Sequence, residues 1–355
     1  MATPKFLQGQ TTFHSEIKGR VNQYFQEVRK PMTGNTFLFF KALFFCLCYV
    51  GLYIHLVFFT PVTWLALIEC VVLGGVTAAI GFNVMHDGAH GSFSKYTWVN
   101  KAAGYSLNFL GASALLWNMK HNILHHTYTN VDGVDDDIEV KPWLRLCASQ
   151  KKHPLHKFQH YYVWFLYTLL HILWIWGTDL KKYFRRKIVH VPLRKWTIKE
   201  HISFWAAKLI YTFMMVVLPI YLLGFVPWVI GFLITAMVTG FTIGIVFQLA
   251  HTVEETEFPL PAETSGKIEN DWAIHQVVTT ANFATNNKLI SWLVGGLNFQ
   301  IEHHLFPKVS HIHYPAISKI IKQTCKEYGI KYNEYRNMTQ AIVSHYFYMR
   351  KLGRA

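Results

Sequence analysis

The sequence is poor in charge and has no cysteine pattern. Only 15% of its 355 residues are charged, whereas 52% are hydrophobic and 16% are aromatic. This composition is too apolar for an ordinary soluble enzyme of this length, so we expect a membrane protein. The cysteines show no paired spacing and predict neither a disulfide framework nor a thiolate metal site. They are Cys46, Cys48, Cys70, Cys147 and Cys325.

Acidic residues are also scarce, since Asp and Glu number 20 against 34 Lys and Arg. The basic excess favours contact with an anionic surface or ligand, or it reflects positive-inside topology alone. Two clusters, Lys151-Lys152 and Arg185-Arg186-Lys187, suit a phosphorylated substrate carrier, anionic lipid headgroups or an acidic electron donor. Nucleic acid is not expected as a partner.

Four apolar runs are each long enough to cross a bilayer as a helix. They lie at 36–60, 62–85, 203–224 and 226–250. A tight turn at Pro61 joins the first two runs, and an uncharged hinge joins the last two. The sequence therefore predicts two transmembrane hairpins that open to the same side.

The remaining segments, 1–35, 86–201 and 251–355, hold nearly all the Lys and Arg, which places them in the cytoplasm by the positive-inside rule. Within the middle segment, 101–119 and 161–177 are apolar but short, and they are predicted as re-entrant or interfacial helices. The first apolar run begins too far into the chain for a cleaved signal peptide.

The predicted fold is an all-α integral membrane protein with four transmembrane helices in two hairpins, interfacial helices and a cytosolic helical cap. No internal repeat or low-complexity tract divides the chain. We expect a cytosolic N-terminal segment at 1–35, a membrane domain carrying the cap at 36–320, and a cytosolic C-terminal segment at 321–355.

Histidines form tight groups just beyond the ends of the apolar runs. An i, i+4 spacing puts two imidazoles on one helix face, which is a chelating arrangement. A lone pair of this kind is more often a satisfied surface or core feature, but three groups on one membrane side favour metal binding. The groups are HDGAH (His86, His90), HNILHH (His121, His125, His126) and QIEHH (His303, His304).

Seven imidazoles exceed what one tetrahedral or octahedral ion needs, so the sequence predicts two metal ions. His251 closes the last apolar run at the depth of the first group and is predicted as an eighth ligand, with an interfacial histidine as the alternative. His275 has no partner at helical spacing and stays undecided between ligand and non-ligand. Gln300 is either a weak ligand or the holder of a metal-bound water.

Carboxylates close in sequence could fix the second nitrogen of each ligating imidazole. For the acidic run at 135–137, a solvated loop is an equally good interpretation. The candidates are Asp87, Asp135, Asp136, Asp137, Glu254, Glu255, Asp271 and Glu302.

The order HDGAH, HNILHH, QIEHH around two hairpins resembles the three histidine boxes of membrane fatty acid desaturases, over residues of about 35 to 320. Gln300 stands where other desaturases carry His, which resembles the front-end and linoleoyl-type branch. The stretches HHTYTN and DWAIHQVVTTANF resemble that branch too.

This resemblance implies an oxygen-dependent enzyme that introduces a cis double bond into a long-chain acyl substrate held in a bent tunnel. It implies two iron ions, for which zinc can substitute in purified protein, and O2 as co-substrate. The acyl group would arrive on coenzyme A, a carrier protein or a lipid. The residues that correspond to iron ligands are His86, His90, His121, His125, His126, His251, His303 and His304.

The sequence has no His-Pro-Gly-Gly haem motif of a fused cytochrome domain, so we expect a separate donor such as ferredoxin or a cytochrome b. The expected location is a bacterial inner membrane, or alternatively the endoplasmic reticulum, with both termini and the metal site cytoplasmic. A lipid hydroxylase with the same ligands is the first alternative. A metal-binding transporter or sensor without redox chemistry is the second alternative. It would need ionisable or metal-binding side chains deep within the spans.

Overall fold

The computed structural model describes residues 4–7, 11–262 and 264–355, and the chain is mostly helical. The helices are α1 (Phe13–Val28), α2 (Thr36–Phe59), α3 (Thr63–His90), α4 (Thr97–Phe109), α5 (114–128), α6 (Pro154–Arg185), α7 (Ile198–Leu223), α8 (Phe225–His251), α9 (Trp272–Val278), α10 (Lys288–Leu293), α11 (Gln300–Leu305), α12 (Tyr314–Glu327) and α13 (Met338–Arg354).

Strands are short and occur only as pairs of two-residue segments within the described residues. Two pairs are parallel and join distant parts of the chain, and one is an antiparallel hairpin. They are β1 (Lys5–Phe6) with β4 (Lys267–Ile268), β2 (Lys187–Ile188) with β3 (Val191–Pro192), and β5 (Asn282–Phe283) with β6 (Glu334–Tyr335).

The four predicted apolar runs form α2, α3, α7 and α8, each long and apolar enough to cross a membrane. Residues 60–62 connect α2 to α3. Gly224 alone separates α7 from α8, with φ 85° and ψ 167°, a conformation that glycine adopts without strain.

Two predictions about the intervening segment need correction. The predicted 161–177 helix is part of the much longer α6, a fifth helix with the length and composition of a membrane span. The apolar run is shorter than the helix because the helix continues at both ends into residues rich in Lys and His. The predicted 101–119 helix is broken, since α4 ends at Phe109 and Gly111 has φ 90°. Ser113 then caps α5 by accepting a hydrogen bond from the Leu116 amide.

Small residues let the apolar helices approach closely. The Thr239 hydroxyl on α8 donates to the carbonyl oxygen of Gly74 on α3 at 3.0 Å. Where α8 crosses α6, a Cβ on Gly240 would lie 2.7 Å from the carbonyl oxygen of Thr168. Such contacts are typical of helix packing in membranes, where little hydrophobic force acts between helices.

A buried ion pair holds the connection between α4 and α5. Lys208 Nζ on α7 lies 2.8 Å from Asp179 Oδ2 on α6 and donates to the carbonyl oxygen of Gly111 at 2.7 Å. The Ser113 amide donates to the same carboxylate at 2.7 Å. A buried charge is costly unless it is paired and hydrogen-bonded, so residues 111–113 are fixed against both helices.

Beyond the apolar helices lies a cap with its own core. Phe13 and Ile17 of α1 pack with Ile301 of α11 and Ile317 and Ile321 of α12. On another side, α13 packs against α6 and α8. The cap therefore includes α11, which carries the third histidine group, and contacts α6 and α8.

Candidate metal centre

The first histidine group occupies the last turn of α3. His86 and His90 are four residues apart on one helical face, and their ring centroids are 4.6 Å apart. A π-helical turn, Gly81–Met85, precedes them. Gly91 has φ 76° and ends the helix immediately after His90.

The second group lies on a π-helical stretch, Met119–His125, within α5. Trp117 stacks on the ring of His121, with centroids 4.3 Å apart and planes inclined by 22°. His303 and His304 lie on the short helix α11, and His251 is the last residue of α8. The imidazoles therefore come from four separate helices.

These imidazoles converge into overlapping groups in which the candidate ligand atoms lie within 4.8 Å of one another. Two groups account for seven of the eight histidines, one with four members and one with three. His126 groups with His303 and His304, and a further group combines His121 and His125 with Asp137. The larger group is His86, His90, His121 and His303, and the smaller is His125, His251 and His304.

One ring nitrogen in each of seven of these imidazoles is buried and has no hydrogen-bond partner among the described residues. A buried polar atom without a partner is costly, and bound cations would provide partners for those nitrogens that point into the centre. The atoms are Nε2 of His86, His90, His125, His303 and His304, and Nδ1 of His126 and His251. Nε2 of His121 faces Nε2 of His126 at 3.2 Å.

The opposite ring nitrogen is held by an acceptor in several cases. His125 Nδ1 lies 3.0 Å from Asp135 Oδ2, and His304 Nδ1 lies 2.8 Å from Gln276 Oε1. His303 Nδ1 lies 3.2 Å from the Tyr314 hydroxyl. Such contacts orient the unpaired nitrogen toward a metal and increase its basicity.

The protonation equilibria suit metal binding. Burial, together with the neighbouring imidazoles, holds the pKa values of His121, His126, His303 and His304 well below the ordinary value. These rings are therefore neutral near pH 7 and keep a free lone pair. Burial also acts to lower the pKa of His125, but the carboxylates of Asp135 and Asp137 raise it above its usual value.

His275 and Gln300, the two undecided residues, lie in different surroundings. His275 is buried in α9 outside every group of converging ligand atoms, and burial lowers its pKa to about 4. Gln300 is buried beside the centre, with Nε2 3.0 Å from Nε2 of His251. Its Oε1 has no partner among the described residues.

The remaining acidic candidates make no hydrogen bond to the eight imidazoles in the described part of the chain. The Asp87 carboxylate contacts His311 Nδ1 at 2.9 Å, and the Asp271 carboxylate accepts from Thr11 at 2.9 Å. Glu302 accepts from Asn282 and Tyr332, both at 2.7 Å. Burial raises the pKa of Glu302 to about 7, against these hydrogen bonds. Closeness in sequence does not put a side chain on the same helix face as its neighbour.

Glu254 and Glu255 are exposed beyond the end of α8, and Glu255 pairs with Lys331. Within the acidic run, Asp136 pairs with Lys120 and Lys182. Only part of that run therefore contacts an imidazole.

Sequence reasoning missed several neutral residues around the centre. Gln276 and Tyr314 hold imidazoles, and Trp117 covers one. Asn130 donates from Nδ2 to the carbonyl oxygens of His251 and Thr279, at 2.9 and 3.1 Å. Side-chain amides and hydroxyls were not among the predicted acceptors, although their oxygen atoms also accept hydrogen bonds.

A narrow apolar cavity opens beside His86. Trp117 and Phe247 line it near the imidazoles, and Thr77 and His171 line it farther along. Thr77 precedes His86 by nine residues on α3, so the cavity extends about 13 Å along that helix. This shape suits a long apolar chain.

Comparisons with known proteins agree with this geometry. Residues 62–336 match the family model described as fatty acid desaturase. The chain is 36% identical over 343 residues to the sn-1 linoleoyl-lipid 6-desaturase of Arthrospira platensis, covering 96% of this chain and 92% of that protein. The enzyme of that name from Synechocystis is 36% identical over 344 residues, covering 97% and 96%.

A plant relative is longer than this chain. The acyl-lipid (8-3)-desaturase of Physcomitrium patens is 34% identical over 347 residues, which cover 96% of this chain and 72% of that protein.

Proposed function

Because the chain belongs to the fatty acid desaturase family, we propose that its eight converging imidazoles hold two iron ions for oxygen-dependent desaturation. The chain is an integral membrane fatty acyl desaturase and therefore an oxidoreductase. The observation that supports this proposal is the set of unpaired, buried ring nitrogens in two groups of histidines that His126 links. Neutral imidazole is a suitable donor for iron.

The residues fit a two-ion centre in a simple way. The group of four histidines on α3, α5 and α11 would hold one ion. His125, His251 and His304 would hold the other, and His126 lies between the two. Gln300 would supply a weak oxygen donor or position a bound water next to His251.

Bound iron and dioxygen would supply an oxidant strong enough for an unactivated methylene, which no side chain can supply. The overall change would be R–CH2–CH2–R′ + O2 + 2 e⁻ + 2 H⁺ → R–CH=CH–R′ + 2 H2O. The protein would position the chain, exclude water through the apolar cavity wall, and orient each imidazole through the acceptor on its far side.

The acyl chain would lie in the cavity beside His86, with the reacting carbons next to the imidazoles. Leu107, Leu110, Ile243 and Phe247 supply the apolar wall. Relatives of this chain are named as acyl-lipid desaturases, and two are named as acting on a linoleoyl lipid. We therefore propose a lipid-linked substrate that already carries double bonds, rather than a coenzyme A or carrier-protein thioester.

We propose four membrane spans, with α6 as an interfacial helix that does not cross the bilayer. At its start, Gln159 donates to the carbonyl oxygen of Met349 at 2.9 Å, in the helix whose His345 contacts Thr252. At its end, Lys182 pairs with Asp136, next to the Asp137 that lies 3.3 Å from His125. Both ends of α6 therefore contact the cap, which favours a helix that does not cross the bilayer.

This topology gives a cytoplasmic centre and two cytoplasmic termini, as the basic segments favour. Residues 1–35, 36–320 and 321–355 would be segments of one folded unit. A bacterial plasma membrane is the proposed location, and a separate protein the proposed electron donor.

The direct test is expression of wild type and His125→Ala in a bacterial host without polyunsaturated lipids, with ferredoxin and its reductase supplied. We expect a new double bond in wild-type lipids, located by mass spectrometry, and none with His125→Ala. His190→Ala, a change at an exposed loop histidine, serves as the matched control and should behave as wild type. Identical lipid profiles for wild type and His125→Ala would overturn the proposal, and a hydroxylated product would redirect it to hydroxylation.

A further inference from the structure

A row of lysines occupies the outer side of α12. Lys319, Lys322 and Lys326 are exposed and spaced at i, i+3 and i+7, so they share one face, here called the lysine face. The opposite side of α12 is buried in the cap core through Ile317 and Ile321. Together with Gln323, Ile330 and Tyr332, the lysine face borders a shallow recess.

The recess carries a surplus of positive charge. Lys322 pairs with Glu334 and lies over the ring of Tyr332, 5.6 Å from its centroid. Lys319 and Lys326 have no ion-pair partner in the described ranges. A concave surface of one sign attracts an oppositely charged partner and raises its rate of association.

Tyr332 links this recess to the metal centre. Its hydroxyl donates to Glu302 Oε1 at 2.7 Å. Asn282 donates to the other oxygen of Glu302 at 2.7 Å and accepts from the Ile301 amide at 2.9 Å. Glu302 is bonded directly to His303. A side chain that lines the recess is therefore one hydrogen bond from the helix that carries two of the converging imidazoles.

Desaturation needs two electrons from outside for each double bond formed, as the balanced equation above states. We propose that the lysine face docks an acidic one-electron redox protein, whose redox group then faces Tyr332; this rests on the proposed function. Two successive encounters would deliver the two electrons, and each encounter would leave one oxidised donor molecule.

Charge and surroundings favour a protein over a lipid surface here. The basic cluster Lys181, Arg185 and Lys187 lies beside large exposed apolar residues, with Phe184 68% and Ile198 78% exposed, as expected next to lipid headgroups. By contrast, α12 packs on α1 and α11 of the cap, away from the apolar helices. The two basic surfaces therefore provide a matched pair for an experiment.

The test uses full-length, iron-loaded enzyme in phosphatidylcholine nanodiscs, with plant-type ferredoxin and soluble cytochrome b5 as acidic probes. The variant Lys319→Glu/Lys322→Glu/Lys326→Glu should raise the Kd for at least one probe by about tenfold or more, because the charge complementarity is lost. It should also remove most of the salt dependence of binding. Dithionite-driven desaturation should stay at the wild-type rate, because a small reductant needs no docking surface.

The control Lys181→Glu/Arg185→Glu/Lys187→Glu makes the same charge change on the other surface and should keep the wild-type Kd. Equal loss in both variants, no loss in the lysine-face variant, or no binding of either probe by wild type would overturn the proposal. So would a lysine-face variant that keeps probe binding and loses affinity for phosphatidylglycerol vesicles. Wild type that binds a probe but forms no double bond even with dithionite would instead contradict the proposed function.

Discussion

At the scale of single residues, the contact between His125 and Asp135 joins two buried side chains and defines the direction of one ring. Asp135 also accepts from the Asn130 and Asp137 amides, at 2.9 and 3.1 Å. The carboxylate is therefore immobile, and so is the imidazole that it holds. His125 Nε2 consequently points in one direction, toward His251 and His304.

Asp135→Asn should lower iron affinity by roughly tenfold to a hundredfold, because an amide holds the His125 ring less firmly and adds no basicity. The measurement is iron per chain, by mass spectrometry of the purified protein, during titration with a competing chelator. Asp132→Asn is the control, since Asp132 pairs with Lys141 and bonds to Ser149. Equal iron retention in both variants would show that the Asp135 contact does not support binding.

The histidines at this centre were predictable from the sequence because helical spacing and the ends of the apolar runs constrain where they can lie. The residues behind them were not. Gln276 is 28 residues from His304 and lies on another helix. Tyr314 is only 11 residues from His303, but a hydroxyl was not among the predicted acceptors. Glu302 illustrates the converse, because successive helical residues point in directions about 100° apart. Its carboxylate lies among Asn282 and Tyr332 although it adjoins His303.

At the scale of elements, α3 combines a metal-binding end with a cavity wall. Gly81 lines the cavity five residues before His86, and a Cβ at Gly81 would meet nothing within 4 Å. A larger side chain there would occupy space without displacing the helix. The element therefore offers a way to change the cavity while leaving the imidazoles in place.

Gly81→Leu should shift the product profile toward shorter acyl chains by roughly tenfold in specificity, because each lost methylene contact costs about 1–3 kcal/mol. Gly75→Leu is the matched control, as a Cβ at Gly75 also meets nothing within 4 Å and Gly75 does not line the cavity. Both variants should keep wild-type iron content. An unchanged chain-length profile for Gly81→Leu would argue against acyl binding in this cavity.

The length of a helix was predictable from the sequence only where the helix is apolar along its whole length. The runs behind α2, α3, α7 and α8 predicted their helices closely, since lipid contact demands apolar residues along the whole length. α6 differs because its ends are polar and paired with the cap. The start of α6 contacts α13, and its end pairs with Asp136. Hydropathy therefore identified only the middle part of this helix.

At the scale of the whole molecule, the four-span arrangement has a direct consequence for sidedness. Single cysteines at Lys157 and Lys181, near the two ends of α6, should react with a membrane-impermeant maleimide from the same side as a cysteine at Lys319. A cysteine at Thr60, in the connection between α2 and α3, should react only from the other side.

The labelling requires right-side-out and inside-out vesicles, in a background that lacks the native cysteines. Reaction of the Lys157 and Lys181 positions from opposite sides would show that α6 crosses the membrane and that five spans exist. Lys157 is exposed, as is Lys181, so a lack of reaction would not reflect burial of the side chain.

The imidazoles of the metal centre are spread between residues 86 and 304, across helices that are synthesised at different times. At about 5–20 residues per second, the ribosome needs roughly ten to forty seconds to synthesise the chain between His86 and His304. During that interval the growing chain presents first the histidines of α3, then those of α5, and later His251. The complete set of candidate ligands therefore exists only after His304 has been synthesised, and an ion bound before then would have an incomplete set of ligands.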